Sequence, residues 1–198
     1  MKSVLISIQP YWVFLIIAQK MGWNIGKVKT VEVRKNRPKD ESWDRIAKIY
    51  CSKDQKSFSK IPKEYQPLME QFLGKVIGEF VCDKIVKFEN SLYDEAFIET
   101  VTRSCVPMGD LLVYLGKQNY GYGWHISDLV IYDKPRELSE FLVEGDCACV
   151  NCKKCKYFDR GNGYNVEDDC LLGYKIIDIG KTVKPLFRPP QSWGYVEE

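Results

Sequence analysis

Histidine is nearly absent from this chain: its 198 residues include one, His125. That excludes a histidine-rich metal centre and the paired-histidine acid–base chemistry of many ribonucleases. Long apolar runs are missing as well. The most apolar stretch, VLISIQPYWVFLIIAQK from Val4 to Lys20, is interrupted by Gln9-Pro10, and neither part approaches the roughly 20 residues that a spanning helix needs. No small-residue cleavage site follows it, so it does not read as an export signal. A cytoplasmic location with no membrane partner is the expectation. Internal repeats and low-complexity tracts are also lacking, and strands do not alternate regularly with helices, which argues against a doubly wound parallel sheet.

Charge of one sign is not in excess: the net charge is +2. Its distribution is uneven, however. From Lys27 to Lys63 there are 12 Lys and Arg against 5 Asp and Glu, and from Glu64 onward 15 against 22. A basic lobe on an otherwise acidic chain suits a polyanionic partner, and it equally suits a solvated lysine-rich loop. The length supports one good core with a small appendage, hence one domain over 1–198 with a cysteine-rich insertion at 145–172.

The elements follow from periodicity. SVLISI (3–8) predicts a buried strand, and Pro10 suits the first turn of a helix over 10–20. Strands are expected at about 28–35 and 45–52, and a polar basic loop at 52–63. A short helix is expected within 62–73. GKVIGEFVCDKIVKF (74–88) reads as one long bent strand with a bulge, because its glycines break an otherwise regular pattern. Helices are expected in DEAFIETVTRS and PMGDLLVYLG, a strand in YGWHISDLVIYDKP ending at Pro135, and a helical turn in PRELSEFL. VKPLFRPPQSWGYVEE supplies a last strand, its prolines barring helix. Several strands with short inserted helices predict an α+β fold, built as a small mixed barrel.

IGKVKTVEVRK (25–35) carries five ionisable side chains in a strand-like pattern. At strand period, Val31 and Val33 share one face, while Thr30, Glu32 and Arg34 share the other. A carboxylate two places before an arginine is either part of a solvated face, a structural ion pair, or a polar recognition site. As a site, Glu32 accepts from a base N–H while Lys29 and Arg34 hold a phosphate or carbonyl. Trp124, beside His125, can stack on a base; the plainer reading is core packing with a hydrogen-bonded edge.

GKVKTVEVRK resembles the signature of ASCH-domain proteins, with Lys29, Glu32 and Arg34 at its lysine, glutamate and arginine. The family spacing has one residue between glycine and lysine, where Gly26 and Lys29 here enclose two. ISIQPYW, GKVIGEF, YGWHISDLVIYDKPRELSEF and RPPQSWGYVEE extend the resemblance to a phage- and prophage-associated branch and over most of the chain. It implies a PUA-like β-barrel that binds RNA or a modified nucleotide around Lys29, Thr30, Glu32 and Arg34, with Trp124 and His125 nearby. Some family members are amidohydrolases or proposed ribonucleases, and Lys29 and Glu32 are the catalytic alternative. The amidohydrolases place a threonine nucleophile where Glu32 stands, and Thr30 is about 6.6 Å from that position at strand spacing, so binding without catalysis is the primary expectation.

CACVNCKKC sets Cys147, Cys149, Cys152 and Cys155 within nine residues, and Cys170 follows. Cysteines two residues apart form a knuckle that offers both sulfurs to one ion, and a distant cysteine closes the tetrahedron. Structural zinc on Cys152, Cys155, Cys170 and either Cys147 or Cys149 is expected. A zinc-stabilised protein-interaction module is the remaining alternative.

Overall fold

The computed structural model describes residues 2–39, 43–144, 175–178 and 181–197. Its chain begins with strand β1 (Lys2–Ile8), which pairs parallel with β3 (Ile46–Cys51) on one side and antiparallel with β11 (Trp193–Glu197) on the other. β1 is therefore central, and a strand covered on both faces reads as a continuous apolar run. Val4, Ile6 and Ile8 enter the main core, while Leu5 enters a second cluster with Val76, Phe141 and Val196. Helix α1 (Pro10–Ile17) follows at once, started by Pro10 and buried along Val13 to Ile17. The apolar N-terminal run is thus a core strand and a core helix. No described helix is long and apolar enough to cross a membrane.

Among the described residues the strands form two sheets. One has the order β7-β4-β3-β1-β11-β8-β10-β9 and the other β2-β6-β5. They comprise β2 (Val31–Arg34), β4 (Val76–Val81), β5 (Ile85–Glu89), β6 (Tyr120–His125), β7 (Ser127–Arg136), β8 (Leu142–Glu144), β9 (Lys175–Asp178) and β10 (Lys181–Pro185). The α+β class agrees with the sequence reading, but the strands do not close into a barrel.

Two corners explain the difference. The stretch expected as one strand over 74–88 is two, β4 in the large sheet and β5 in the small one, broken at 82–84. YGWHISDLVIYDKP likewise breaks at Ile126 into β6 and β7. The corners lie side by side: Val81 pairs with Ser127, His125 N–H donates to the Lys84 carbonyl at 2.9 Å, and Ile85 pairs with Trp124. Two adjacent strands that bend together carry the chain from one sheet to the other, the usual device at a sheet corner. The expected bulge is present as register shifts between Val76 and Gly78 and between Glu79 and Val81. Pro135 does not end β7, which runs to Arg136, because β7 is an edge strand and needs no further partner there.

The remaining differences are smaller. The basic loop holds a one-turn helix, α2 (Gln55–Phe58), capped by Asp54, whose Oδ1 accepts from Ser57 N–H at 2.9 Å. α3 (Gln66–Glu70) falls where a helix was expected, and the closing segment holds two strands, β10 and β11. Helices α4 (Glu95–Ser104) and α5 (Met108–Leu115) cover the small sheet, with Val33, Phe88, Phe97, Leu111 and Leu115 forming the core between them.

Candidate functional site

β2 is buried on both faces, so the solvated-face reading of its charges is overturned. Glu32 is 5% exposed, Arg34 8% and Lys29 2%. Val31 and Val33 point to the apolar side, and Glu32 and Arg34 share the other, as their parity predicts. Each member of the charged group has an anchor outside β2. Lys29 N–H donates to the Leu15 carbonyl of α1, and Lys29 Nζ donates to the Ser104 carbonyl at the end of α4, 2.9 Å away. Arg34 Nη2 donates to the Ser7 carbonyl of β1 at 2.6 Å, tying the small sheet to the large one.

Glu32 lies between the two cations. Its Oε1 is 3.2 Å from Arg34 Nη2, and its Oε2 is 3.2 Å from Lys29 Nζ. The second contact is an ion pair by distance but is not aligned as a hydrogen bond, so Oε2 is left without a hydrogen-bond partner; Arg34 Nε is in the same position. Burial lowers the Lys29 pKa below the ordinary lysine value, the Glu32 charge opposing and the Arg34 charge adding. Lys29 Nζ also sits 5.5 Å from the centre of the Trp12 ring.

This group forms part of the wall of a cleft of about 720 Å³, within the size range of small-ligand sites. Trp12 and Gln9 come from the start of α1, Ser52, Lys56 and Lys60 from the segment after β3, and Val113 and Tyr114 from α5. Ser52 Oγ, also in the wall, is a third buried polar atom without a partner. Native proteins leave few such atoms, and three around one cleft are unmet demand for a ligand or solvent. The group carries two cations and one carboxylate, so a partner that supplies both a donor and an acceptor suits it better than a simple anion.

The other predicted residues lie elsewhere. Trp124 is a correction: it is fully buried, packed between Trp43 and Trp193 at 6.1 and 5.9 Å between ring centres, and offers no face to a base. His125 is not in the cleft wall; its Nδ1 is 2.6 Å from Asp83 Oδ1 at the sheet corner. Thr30 Oγ1 accepts from Arg103 Nε at 3.2 Å and is not in the cleft wall either. Cys147, Cys149, Cys152, Cys155 and Cys170 lie outside the described residues. Sequence reading missed Trp12, Tyr114 and Ser52. Only Lys56 and Lys60 carried a signal, as members of the basic lobe.

What the fold and site define is an α+β domain with a buried, charged recognition group in a cleft between two sheets. No family model and no curated protein matches the chain. Among solved structures it is similar to ASCH from Zymomonas mobilis, with TM-score 0.48 and 16% identity over 69% of this chain and 73% of that one. Two single-residue variants of the same protein give TM-scores of 0.43 and 0.46 at 17% identity, over 70% and 69% of this chain and 77% and 74% of theirs. Likeness at that level says nothing about chemistry.

Proposed function

We propose that this chain is an ASCH-type, PUA-like binding domain that takes RNA or a modified nucleotide into the cleft beside Lys29, Glu32 and Arg34. The observation that carries the reading is the buried Glu32 carboxylate, held between two anchored cations with Oε2 still lacking a hydrogen-bond partner. A base N–H supplies that bond, and Arg34 Nε supplies a donor to the neighbouring acceptor on the same base edge. Trp12 and Tyr114 give the cleft aromatic walls of the kind on which bases stack. The finer resemblance, to a phage- and prophage-associated branch, rests on the quoted sequence stretches alone. Zinc on the cysteines between Cys147 and Cys170 is a separate proposal, concerning residues outside those described.

Glu32→Gln tests the reading. The amide keeps the shape but removes the charge, so a charge-assisted bond of about 1.5–3 kcal/mol is lost from binding. Affinity for single-stranded RNA oligonucleotides, titrated where the variant is fully folded, should fall by about ten- to a hundredfold. A variant that melts earlier but binds normally would mark Glu32 as a structural ion-pair residue and refute the reading.

A further inference from the structure

We infer that the cleft has two subsites, a base-edge subsite at Glu32 and Arg34 and a phosphate subsite at Lys56 and Lys60, so that its ligand is a nucleotide or strand and not a free nucleoside. This rests on the reading of the cleft as a nucleotide site and adds where the phosphate goes. The buried group is ill suited to phosphate. Lys29 Nζ is engaged by the Ser104 carbonyl and the Glu32 carboxylate, and Arg34 Nη2 by the Ser7 carbonyl and the same carboxylate. A phosphate placed there would meet Glu32 Oε2, an acceptor already short of a donor, and two anions in contact repel.

Lys56 and Lys60 stand in a different part of the same cleft wall. Both are exposed, and neither forms an ion pair among the described residues. The segment that carries them is held firmly: Ser57 is buried and its Oγ accepts from Tyr11 N–H at 3.1 Å, fastening α2 to α1. Ile61, just beyond, is buried in the main core. Asp54 brings a carboxylate to the same stretch, but its Oδ1 is engaged by Ser57 N–H. From α5, Val113 and Tyr114 line the cleft while remaining 82% and 38% exposed, an apolar and aromatic surface for the flat face of a base. Asp110, also in the wall, stands on α5 with them and not on the lysine segment. A ring edge at β2, a ring face against α5 and a phosphate at the lysines together describe a nucleotide.

The test compares wild type, Lys56→Ala/Lys60→Ala and Glu32→Gln in titrations with the common ribonucleosides, their 5′-monophosphates and short single-stranded RNA. The lysine variant is expected to weaken every phosphate-bearing probe that binds, by about tenfold at low salt, and to reduce the slope of log K against log salt by about 1. It should leave its melting temperature and any nucleoside binding unchanged, whereas Glu32→Gln should weaken nucleosides and nucleotides alike. Phosphate-bearing probes that bind the lysine variant as tightly as wild type overturn the inference, as do nucleosides that bind wild type as tightly as monophosphates. Either result leaves the cleft a base-recognition site. If no probe binds wild type at all, the reading of the cleft falls and takes the phosphate subsite with it.

Discussion

Lys29 is fully enclosed, yet it keeps an amine beside one carboxylate, one backbone carbonyl and one aromatic ring. Because burial lowers its pKa below the model value of 10.5, the folded protein releases this proton before the unfolded chain does. Below the folded pKa both states hold the proton; between the folded pKa and 10.5 the unfolded state binds more, and stability rises with pH there. Lys29→Met removes that contribution. The wild-type stability minus that of Lys29→Met should therefore increase as pH climbs toward 10.5, by up to about 1.4 kcal/mol per pH unit. Urea unfolding from pH 7 to 10.5, in a Cys105→Ala background so that the neighbouring thiol does not titrate, measures it; a difference flat with pH contradicts the lowered pKa. The parity of Glu32 and Arg34 was legible in the sequence. Their burial was not, since it depends on α4, α5 and β1 closing over β2, and strand period carries no information about what another element covers.

At the scale of elements, the sequence shows most strands and helices but not the corners. Runs such as 74–88 and 122–135 look continuous because the residues at each break, Cys82 and Ile126 among them, are themselves compatible with a strand. The bend becomes visible only when both runs bend at the same place. Gly78 is the exception, a local residue that records a tertiary approach. A Cβ there would sit 2.2 Å from the Val130 carbonyl oxygen and 3.0 Å from Ile131 Cα, both backbone atoms of β7 that cannot swing aside. Gly78→Ala should cost about 1–3 kcal/mol and loosen the pairing of β4 with β7. Gly109, inside α5, meets nothing within 4 Å, so Gly109→Ala should stabilise by about 0.5–1 kcal/mol through helix propensity. Thermal unfolding of both variants gives opposite signs; a neutral Gly78→Ala would show that β7 yields to the methyl group.

Across the whole molecule, charge and sulfur are each divided by the fold into groups that composition merges. The basic lobe is not one surface. Lys29 and Arg34 are buried around Glu32, and Lys48 is buried on another strand with Glu79, 2.9 Å away. Arg37, Lys39, Lys56 and Lys60 remain exposed. The eight cysteines divide in the same way. Cys51 and Cys82 are core residues whose thiols burial pushes up to about 12, the Asp83 charge adding to the effect at Cys82. Burial raises the Cys105 thiol too. Metal binding requires thiolates, and among the described residues no group of three or more His, Cys, Asp or Glu is placed to hold an ion. Zinc in this protein therefore has to be bound by cysteines from the set Cys147, Cys149, Cys152, Cys155 and Cys170. Protein purified under reducing conditions should contain about one zinc per chain, the stoichiometry of a four-thiolate structural site. Cys152→Ser/Cys155→Ser should abolish it, because it breaks the knuckle, whereas Cys51→Ala/Cys82→Ala/Cys105→Ala should retain the metal despite a less stable core. Metal analysis by mass spectrometry decides between them. Reduced wild-type protein without zinc would sink the site, and loss of zinc from the core variant at a pH and temperature where it is still folded would place the ligands elsewhere.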